Sequence, residues 1–369
     1  SGSEYLTDVV QVTAGNWHSM ALKANGTVYA WGWGQYGQLG NGYTTNSDDT
    51  DKYSYEKIYS APVQVLNGAQ TSETGYLKEV VQIDAMGGTG RGEKNRFGTS
   101  LAVTESKEVY GWGNSLYGAL GVKSSIVSKP VRVGTDISNA VQVAGGGKSG
   151  SDDWHVNNIG NTGYTYILKE DGTVSSLGYN VNGELGNGAK ASTTAVQKVS
   201  NLTEIMQVAG SKNGNFGAAV KEDGTVWTWG NNTNGQLGNN STENSSSPVQ
   251  VKSADGNTFL TNIIEISAGS GHNMALRNDG TVWTWGSNTY GQLGNGSSVN
   301  SMLPVQVKSA DGNSFLADIV QISAGYVHSM ALKKDGTVLA WGRNDGGQLG
   351  NNNTSNKSLP VQVKGGASG

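Results

Sequence analysis

The chain has 369 residues, a net charge of −4, only 15% charged residues and no cysteine. That length buries a sizeable core as one or two domains, while the acidic balance argues against nucleic acid, whose capture needs a basic stripe that displaces counterions. Disulfides are excluded, no apolar run approaches the ~18 residues of a membrane span, and the opening "SGS" shows neither the basic region nor the apolar core of a signal peptide.

Residues 1–8 read as a leader or appended end, 9–363 as one folded body and 364–369 as a tail. Within the body one phrase recurs. The "WG" steps fall at Trp31, Trp112, Leu177 (the tryptophan replaced), Trp229, Trp285 and Trp341, at spacings of 81, 65, 52, 56 and 56 residues. A phrase at such a period marks a repeat architecture. Six units begin near Val9, Val80, Ala140, Ile205, Ile263 and Ile319. Each predicts four short strands. The first is "VVQV" at 9–12 or "IIEI" at 263–266. The second is "SMAL" at 19–22 or "SLAV" at 100–103. The third is "TVYAWG" at 27–32 or "TVWTWG" at 225–230, and the fourth is "PVQV" at 62–65 or "PVRV" at 130–133. The runs are β-branched and aromatic with turn residues between them. "NGT" or "DGT" joins strands two and three in five units, a hairpin signal. No stretch sustains a helical period.

A lone four-stranded unit cannot bury both faces, whereas blades stacked around an axis can, so the reading is an all-β chain forming a single β-propeller of six four-stranded blades. Unit one starts with its own first strand and unit six ends with its own fourth, which predicts that no strand is borrowed between termini. The tryptophans are expected to pack on neighbouring blades, each ring burying roughly 150–250 Å². Leu39, Leu120, Leu185, Leu237, Leu293 and Leu349 are expected to tuck into the core.

"AGxxHSMAL" at 14–22, "DGTVxxWG" at 335–342, "GQLG" at 347–350 and "PVQV" at 360–363 together resemble the repeats of the regulator of chromosome condensation family, over Val9 to Val363. The resemblance implies a β-propeller that presents loops to partners. Many members have seven blades and this chain shows six units, so an incomplete or seven-bladed ring is the alternative. Unit 3 departs from the pattern with Leu177 for tryptophan and Ala195 for proline. The low charge, absent cysteine and Asn/Gly/Ser/Thr-rich surface resemble a secreted, extracellular or cell-surface bacterial branch, which includes β-lactamase-inhibitory propellers. The nuclear, nucleotide-exchanging branch fits less well.

Function is expected where the repeats differ. Two residues separate "AG" from histidine in blades 1, 5 and 6, but the same connection is lengthened to 87–98 in blade 2, 146–163 in blade 3 and 211–215 in blade 4. After "GQLG", blade 1 has 21 residues, 41–61, against eight or nine elsewhere. Both connections leave one end of an antiparallel blade, so they form an arc on one face. The arc holds Tyr43, Tyr53, Tyr55, Tyr59, Phe97 and Trp154, with Asp48, Asp49, Asp51, Arg91, Arg96, Asp152, Asp153 and His155 around them. Tyr, Trp and Arg dominate binding hot spots. The expected binding residues are Tyr53, Tyr55, Tyr59, Arg91, Arg96, Phe97, Asp152, Asp153, Trp154 and His155.

No catalytic constellation is visible. His18, His272 and His328 share a position filled elsewhere by Thr99, Tyr164 and Phe216, which reads as packing or backbone bonding; a metal would need all three to point into one space. "GGGKSG" at 145–150 lacks the phosphate-loop glycine spacing. Calcium at Asp49 and Asp51 lacks the spacing of a calcium-binding loop, so no cofactor is expected. Gln11, Gln82, Gln142, Gln207, Glu265 and Gln321 recur in the first strand, as a polar ring or as partners for backbone groups between blades. The resulting expectation is a monomeric, non-enzymatic scaffold that binds a protein partner, with no nucleic acid and no membrane insertion. A glycan-binding propeller using exposed Tyr and Trp is the alternative, and an enzyme acting through the acidic loop residues a third reading.

Overall fold

The computed structural model describes residues 5–44, 58–70, 74–87, 98–148 and 162–365. Each sequence unit folds into one four-stranded antiparallel sheet of its own consecutive strands, and no blade borrows a strand from the other terminus. Two compact units hold three blades each. In the first (1–180 and 191–198) blade 1 is Val9–Ala14, His18–Lys23, Val28–Trp33 and Ile58–Gln64, blade 2 is Val80–Gly87, Gly98–Thr104, Val109–Asn114 and Ile126–Arg132, and blade 3 is Ala140–Gly146, Tyr164–Lys169, Val174–Gly178 and Thr193–Lys198. In the second (181–190 and 199–369) blade 4 is Ile205–Gly210, Phe216–Lys221, Val226–Gly230 and Ser245–Gln250, blade 5 is Ile263–Ala268, His272–Arg277, Val282–Gly286 and Ser301–Gln306, and blade 6 is Ile319–Ala324, His328–Lys333, Val338–Gly342 and Lys357–Gln362. The fold class is a six-bladed β-propeller. The one helical element among the described residues is a single 3-10 turn, Leu116–Gly118.

The repeated phrase builds this locally. In "DGT" the Asp223 carboxylate accepts from the Thr225 amide at 2.9 Å and its hydroxyl at 2.6 Å. Gly224, at φ +77°, supplies the left-handed turn residue. Asp171 and Asp279 repeat the arrangement. The six "GQLG"-type leucines have no solvent exposure, so each loop is anchored by one apolar side chain whose burial contributes about 1.5–3 kcal/mol.

Adjacent blades are joined by hydrogen bonds that the repeat also encodes. In the first strands, Gln11 accepts from the Ile83 amide at 2.9 Å and donates to the Ile83 carbonyl at 2.9 Å. Gln82 treats Val143 the same way, at 2.9 and 3.2 Å. Of the two readings of the axial glutamines, these bonds select the pairing of backbone groups between blades. Trp112, Trp229, Trp285 and Trp341 are fully buried. Each donates its indole N–H to the carbonyl of the third-to-last residue in the preceding "GQLG" or "GELG": Gln38, Glu184, Gln236 and Gln292, at 2.8–3.0 Å. The preceding tryptophan of each "WTW" behaves differently. Trp227 is half-buried and bonds Thr225 at 3.3 Å, near its own hairpin.

Candidate binding face

Two of the three repeat histidines, His18 and His272, belong to the same joints, while His328 is half-buried and burial pushes its imidazole pKa down. His18 lies 3.0 Å from the Ser100 hydroxyl of blade 2, and that hydroxyl donates to the Gln38 carbonyl at 2.8 Å. His272 and Ser329 repeat this with the Gln292 carbonyl, at 3.0 and 2.8 Å. Because the serine proton goes to the carbonyl, the imidazole is the donor, through Nε2. The glycine of "AG" makes room for the ring: a Cβ at Gly15 would sit 2.6 Å from His18 Cε1. A buried serine whose proton is held by a backbone carbonyl is no nucleophile. Among the described residues no group of three or more His, Cys, Asp or Glu is arranged to hold a metal.

Where one member of a joint changes, its partners change with it. Blade 4 carries Phe216 in place of histidine, and Asn273 replaces the serine, donating to the Gln236 carbonyl at 2.8 Å beside Trp285. Blade 3 carries Leu177 in place of tryptophan; the preceding loop has Ala119 for glutamine, and Thr165 donates to the Ala119 carbonyl at 2.7 Å.

The connection after strand three is held by a residue that the repeat comparison did not single out. Asn232 is fully buried. Its amide donates to the Ser241 and Glu243 carbonyls at 2.9 and 3.0 Å, and its oxygen accepts from Leu237 at 2.8 Å. Asn288 and Asn344 make equivalent bonds across their own loops. Asn180 reaches the Ala191 carbonyl at 3.1 Å. At this place blade 2 has Ser115, which accepts from Leu120 at 3.3 Å, and blade 1 has Gly34, with no side chain to clamp anything. The blade with no side chain at this place is the one with the long 41–61 connection. The readable signal was the asparagine two residues after "WG" in blades 3 to 6 and its absence from blade 1.

Of the expected binding residues, Tyr59 lies within the described structure: it is half-buried on the fourth strand of blade 1, pairs with Gly32 and packs on the core. Tyr53, Tyr55, Arg91, Arg96, Phe97, Asp152, Asp153, Trp154 and His155 lie outside the described residues, as do Asp49 and Asp51, the calcium candidates. The blade 4 connection, 211–215, differs from its expected place in the arc. Ser211 donates to the Gly269 carbonyl at 2.6 Å and Lys212 N–H to Ala268 O at 3.1 Å, so the segment folds down onto blade 5 with Ser211 and Asn213 buried.

At the same end of blades 1 to 3, the described residues add aromatics. Trp33 is 9% exposed and donates to Gln35 at 3.2 Å; its backbone N–H bonds the Trp17 carbonyl at 2.8 Å. Burial pushes the Tyr36 hydroxyl pKa up. Tyr43 is 61% exposed. Tyr117 meets Tyr179 of blade 3 edge to face, centroids 5.1 Å apart. It holds φ +61°, a conformation that is costly for a bulky residue.

Blades pinned by indole, serine, histidine and glutamine bonds, with their longest connections at one end of blades 1 to 3, define a repeat-built propeller scaffold. The Regulator of chromosome condensation (RCC1) repeat matches residues 25–85, 107–149, 223–276, 279–332 and 335–368, and a second pattern of the same repeat matches 9–38, 263–292 and 319–348. The chain belongs to this family. It is 28% identical over 360 residues to the ultraviolet-B receptor UVR8 of Arabidopsis thaliana, covering 96% of this chain and 70% of the receptor. It is 28% identical over 353 residues to the E3 ubiquitin-protein ligase HERC2 of Homo sapiens, covering 94% of this chain and 6% of the ligase. Among solved structures, human WBSCR16 matches with a TM-score of 0.72 at 21% identity, over 98% of this chain and 83% of that one. Prp20p of Saccharomyces cerevisiae, described with its binding properties to Gsp1p and histones, matches at 0.72 and 21%, over 98% and 78%. These two likenesses concern the fold.

Proposed function

We propose that this chain is a non-enzymatic, protein-binding scaffold whose contact surface is the loop face of blades 1 to 3. The observation that carries the reading is Gly34. Where blades 3 to 6 place an asparagine that ties down the connection after strand three, blade 1 has glycine, the longest such connection in the chain, and Trp33 and Tyr36 beside it. Loop growth is cheap, but loss of the clamp together with gathered aromatics is the pattern of a surface kept for a partner. His18 and His272 and their serine partners are taken up in inter-blade joints, which argues against a catalytic role for those two pairs. The relatives support the protein partner: Prp20p is described with its binding to Gsp1p and histones. Tyr53, Tyr55, Arg91, Arg96, Phe97 and Trp154 belong to the proposed surface, with Asp152, Asp153 and His155 at its rim. A bacterial, extracellular or cell-surface setting is part of the same proposal, resting on the low charge and absent cysteine, as is a resemblance to propellers that inhibit β-lactamases.

The test is a pair of trims followed by capture of proteins from the native culture medium. Shortening 146–163 to a two-residue turn should abolish capture with Tm nearly intact. The control removes the tip Asp311–Asn313 on the opposite end of blade 5 and spares Leu316, which is 5% exposed. Loss of capture in the control alone refutes the assignment. Capture by neither protein, with retention on a glycan array, would favour the exposed Tyr and Trp as a sugar-stacking surface instead.

A further inference from the structure

Each joint between consecutive blades sets one side of the earlier blade against the opposite side of the later one. The later blade supplies the apolar residue that follows the first-strand glutamine or glutamate, and the tryptophan of "WG". Ile83, Val143, Val208, Ile266 and Ile322 hold the first position at 1–4% exposure, and Trp112, Trp229, Trp285 and Trp341 hold the second, fully buried. Blade 1 departs from both. Its Val12 is 70% exposed, Ala14 is exposed where Ala85 and Ala324 are buried, and Trp31 is half-buried. These residues stand in regular strands, Val9–Ala14 and Val28–Trp33, so their exposure does not come from a broken strand. The first strand pairs on one edge only, with His18–Lys23.

The earlier blade supplies the glutamine, a polar side chain two residues further on, the last glycine of "GQLG" and the valine just after the fourth strand. Gln11, Gln82 and Gln207 accept from amides of the next blade at 2.8–2.9 Å. Thr13 and Ser267 accept from the Ala85 and Ala324 amides at 3.2 and 2.9 Å. A Cβ at Gly40, Gly238 or Gly294 would sit 2.7–2.9 Å from the indole nitrogen of the next tryptophan. Val65, Val133, Val199, Val251 and Val307 have no exposure. Blade 6 carries the same groups without these contacts. Gln321 and Ser323 are exposed, Val363 is half-buried, and a Cβ at Gly350 would meet Val363 alone. A Cβ at Gly347 would meet nothing within 4 Å, where Gly235 and Gly291 touch the following fourth strand at Met302 and Ser358.

We propose that these two sides fit each other between molecules: the exposed side of blade 6 seats the exposed side of blade 1 of a second copy, in the joint that the chain already makes between its own consecutive blades. Both halves are present on one chain, so the occupant needs no chemistry beyond this chain's own. Gln321 clamps the backbone of Val12, Ser323 accepts from the Ala14 amide, and the Trp31 indole reaches the Gln348 carbonyl, as Trp341 reaches that of Gln292. Val12, Trp31 and Val363 lose water, and none of the named side chains is charged, so docking desolvates no ion among them. Because the two halves differ, the contact runs head to tail and leaves one open half at each end of the assembly. It uses strands and leaves the loops of the proposed binding face aside.

Sedimentation of the full chain across a concentration series tests this. The wild type should gain mass with concentration beyond that of one chain. Val12→Arg blocks the blade 1 side and Gln321→Arg the blade 6 side. Both positions are exposed, so each variant should melt as the dilute wild type does, and each alone should stay at the mass of one chain. Mixed in equal amounts, the two variants hold one intact half each and should form a pair of two chains that grows no further. A wild type that stays at one chain at every concentration, the state the sequence suggested, overturns the proposal; that result is also the one expected if the chain covers these sides itself or if a different protein seats there. A single variant that assembles alone overturns it, as does a mixture that fails to pair.

Discussion

Trp285 offers the sharpest test of the inter-blade joints. Its ring is fully buried, and its indole N–H shares the Gln236 carbonyl with the Asn273 side-chain amide, at 3.0 and 2.8 Å. Trp285→Ala removes a ring that buries roughly 200 Å² and leaves a cavity, so the loss should be about 3–5 kcal/mol. Trp285→Phe keeps most of the apolar area and removes one hydrogen bond. Because Asn273 still serves the carbonyl, the cost should be only about 1–2 kcal/mol. Asn273→Ala alone leaves the indole bond in place. The pair Trp285→Phe with Asn273→Ala orphans a buried carbonyl, so its cost should exceed the sum of the two single changes by about 1 kcal/mol or more. Urea denaturation followed by circular dichroism measures all four proteins, with the slope checked for constancy. Strict additivity, or an alanine variant within about 1 kcal/mol of wild type, would refute the placement of the ring and the shared acceptor.

Further outcomes follow from the same joints. Burial, with a smaller contribution from His328, pushes the His272 imidazole down to about 3. Its stabilisation is therefore present above about pH 6.5 and lost as pH falls toward 3. The pair His272→Phe with Ser329→Asn, which copies the joint of Phe216 and Asn273, should fold and show a shallower acid loss in a melting series from pH 7 to 4. Gly269→Ala drives a Cβ into the His272 ring and should lower Tm by several degrees, about 1–3 kcal/mol of overpacking; an unchanged melt would mean the ring has room to turn. Asn344→Ala frees the connection it clamps and should cost about 1–3 kcal/mol, with limited proteolysis cutting first near 351–356.

Sequence pattern made the blades legible because the fold repeats its solution. The tryptophan of "WG" and the leucine of "GQLG" recur as a pair eight residues apart, and the expected burial holds for all six leucines and for Trp112, Trp229, Trp285 and Trp341, while Trp31 of blade 1 is half-buried. The partners of the tryptophan were not legible, since Gln38, Glu184, Gln236 and Gln292 act through backbone carbonyls, which have no side-chain signature. The compensating changes are side-chain identities, but Phe216 and Asn273 lie 57 residues apart, and so do His272 and Ser329. They become a pair once each blade is set against the next. Length showed that the 211–215 connection of blade 4 differs from its counterparts, but not its direction, which Ser211 and Lys212 fix by bonding to blade 5. Gly34 was visible in the aligned phrases all along. Its meaning needed the bonds of Asn232, Asn288 and Asn344 as the standard against which a bare glycine is an exception.

The measurement that bears most directly on the binding face restores the missing clamp. Gly34→Asn, combined with replacement of the long blade 1 connection by that of blade 5, converts blade 1 to the ordinary form of the repeat. The predicted result is a protein that melts at or above the wild-type temperature and captures no partner. Full capture by this variant, alongside loss of capture when the Asp311–Asn313 tip is removed, would contradict the assignment and move the functional surface to the opposite end of the blades.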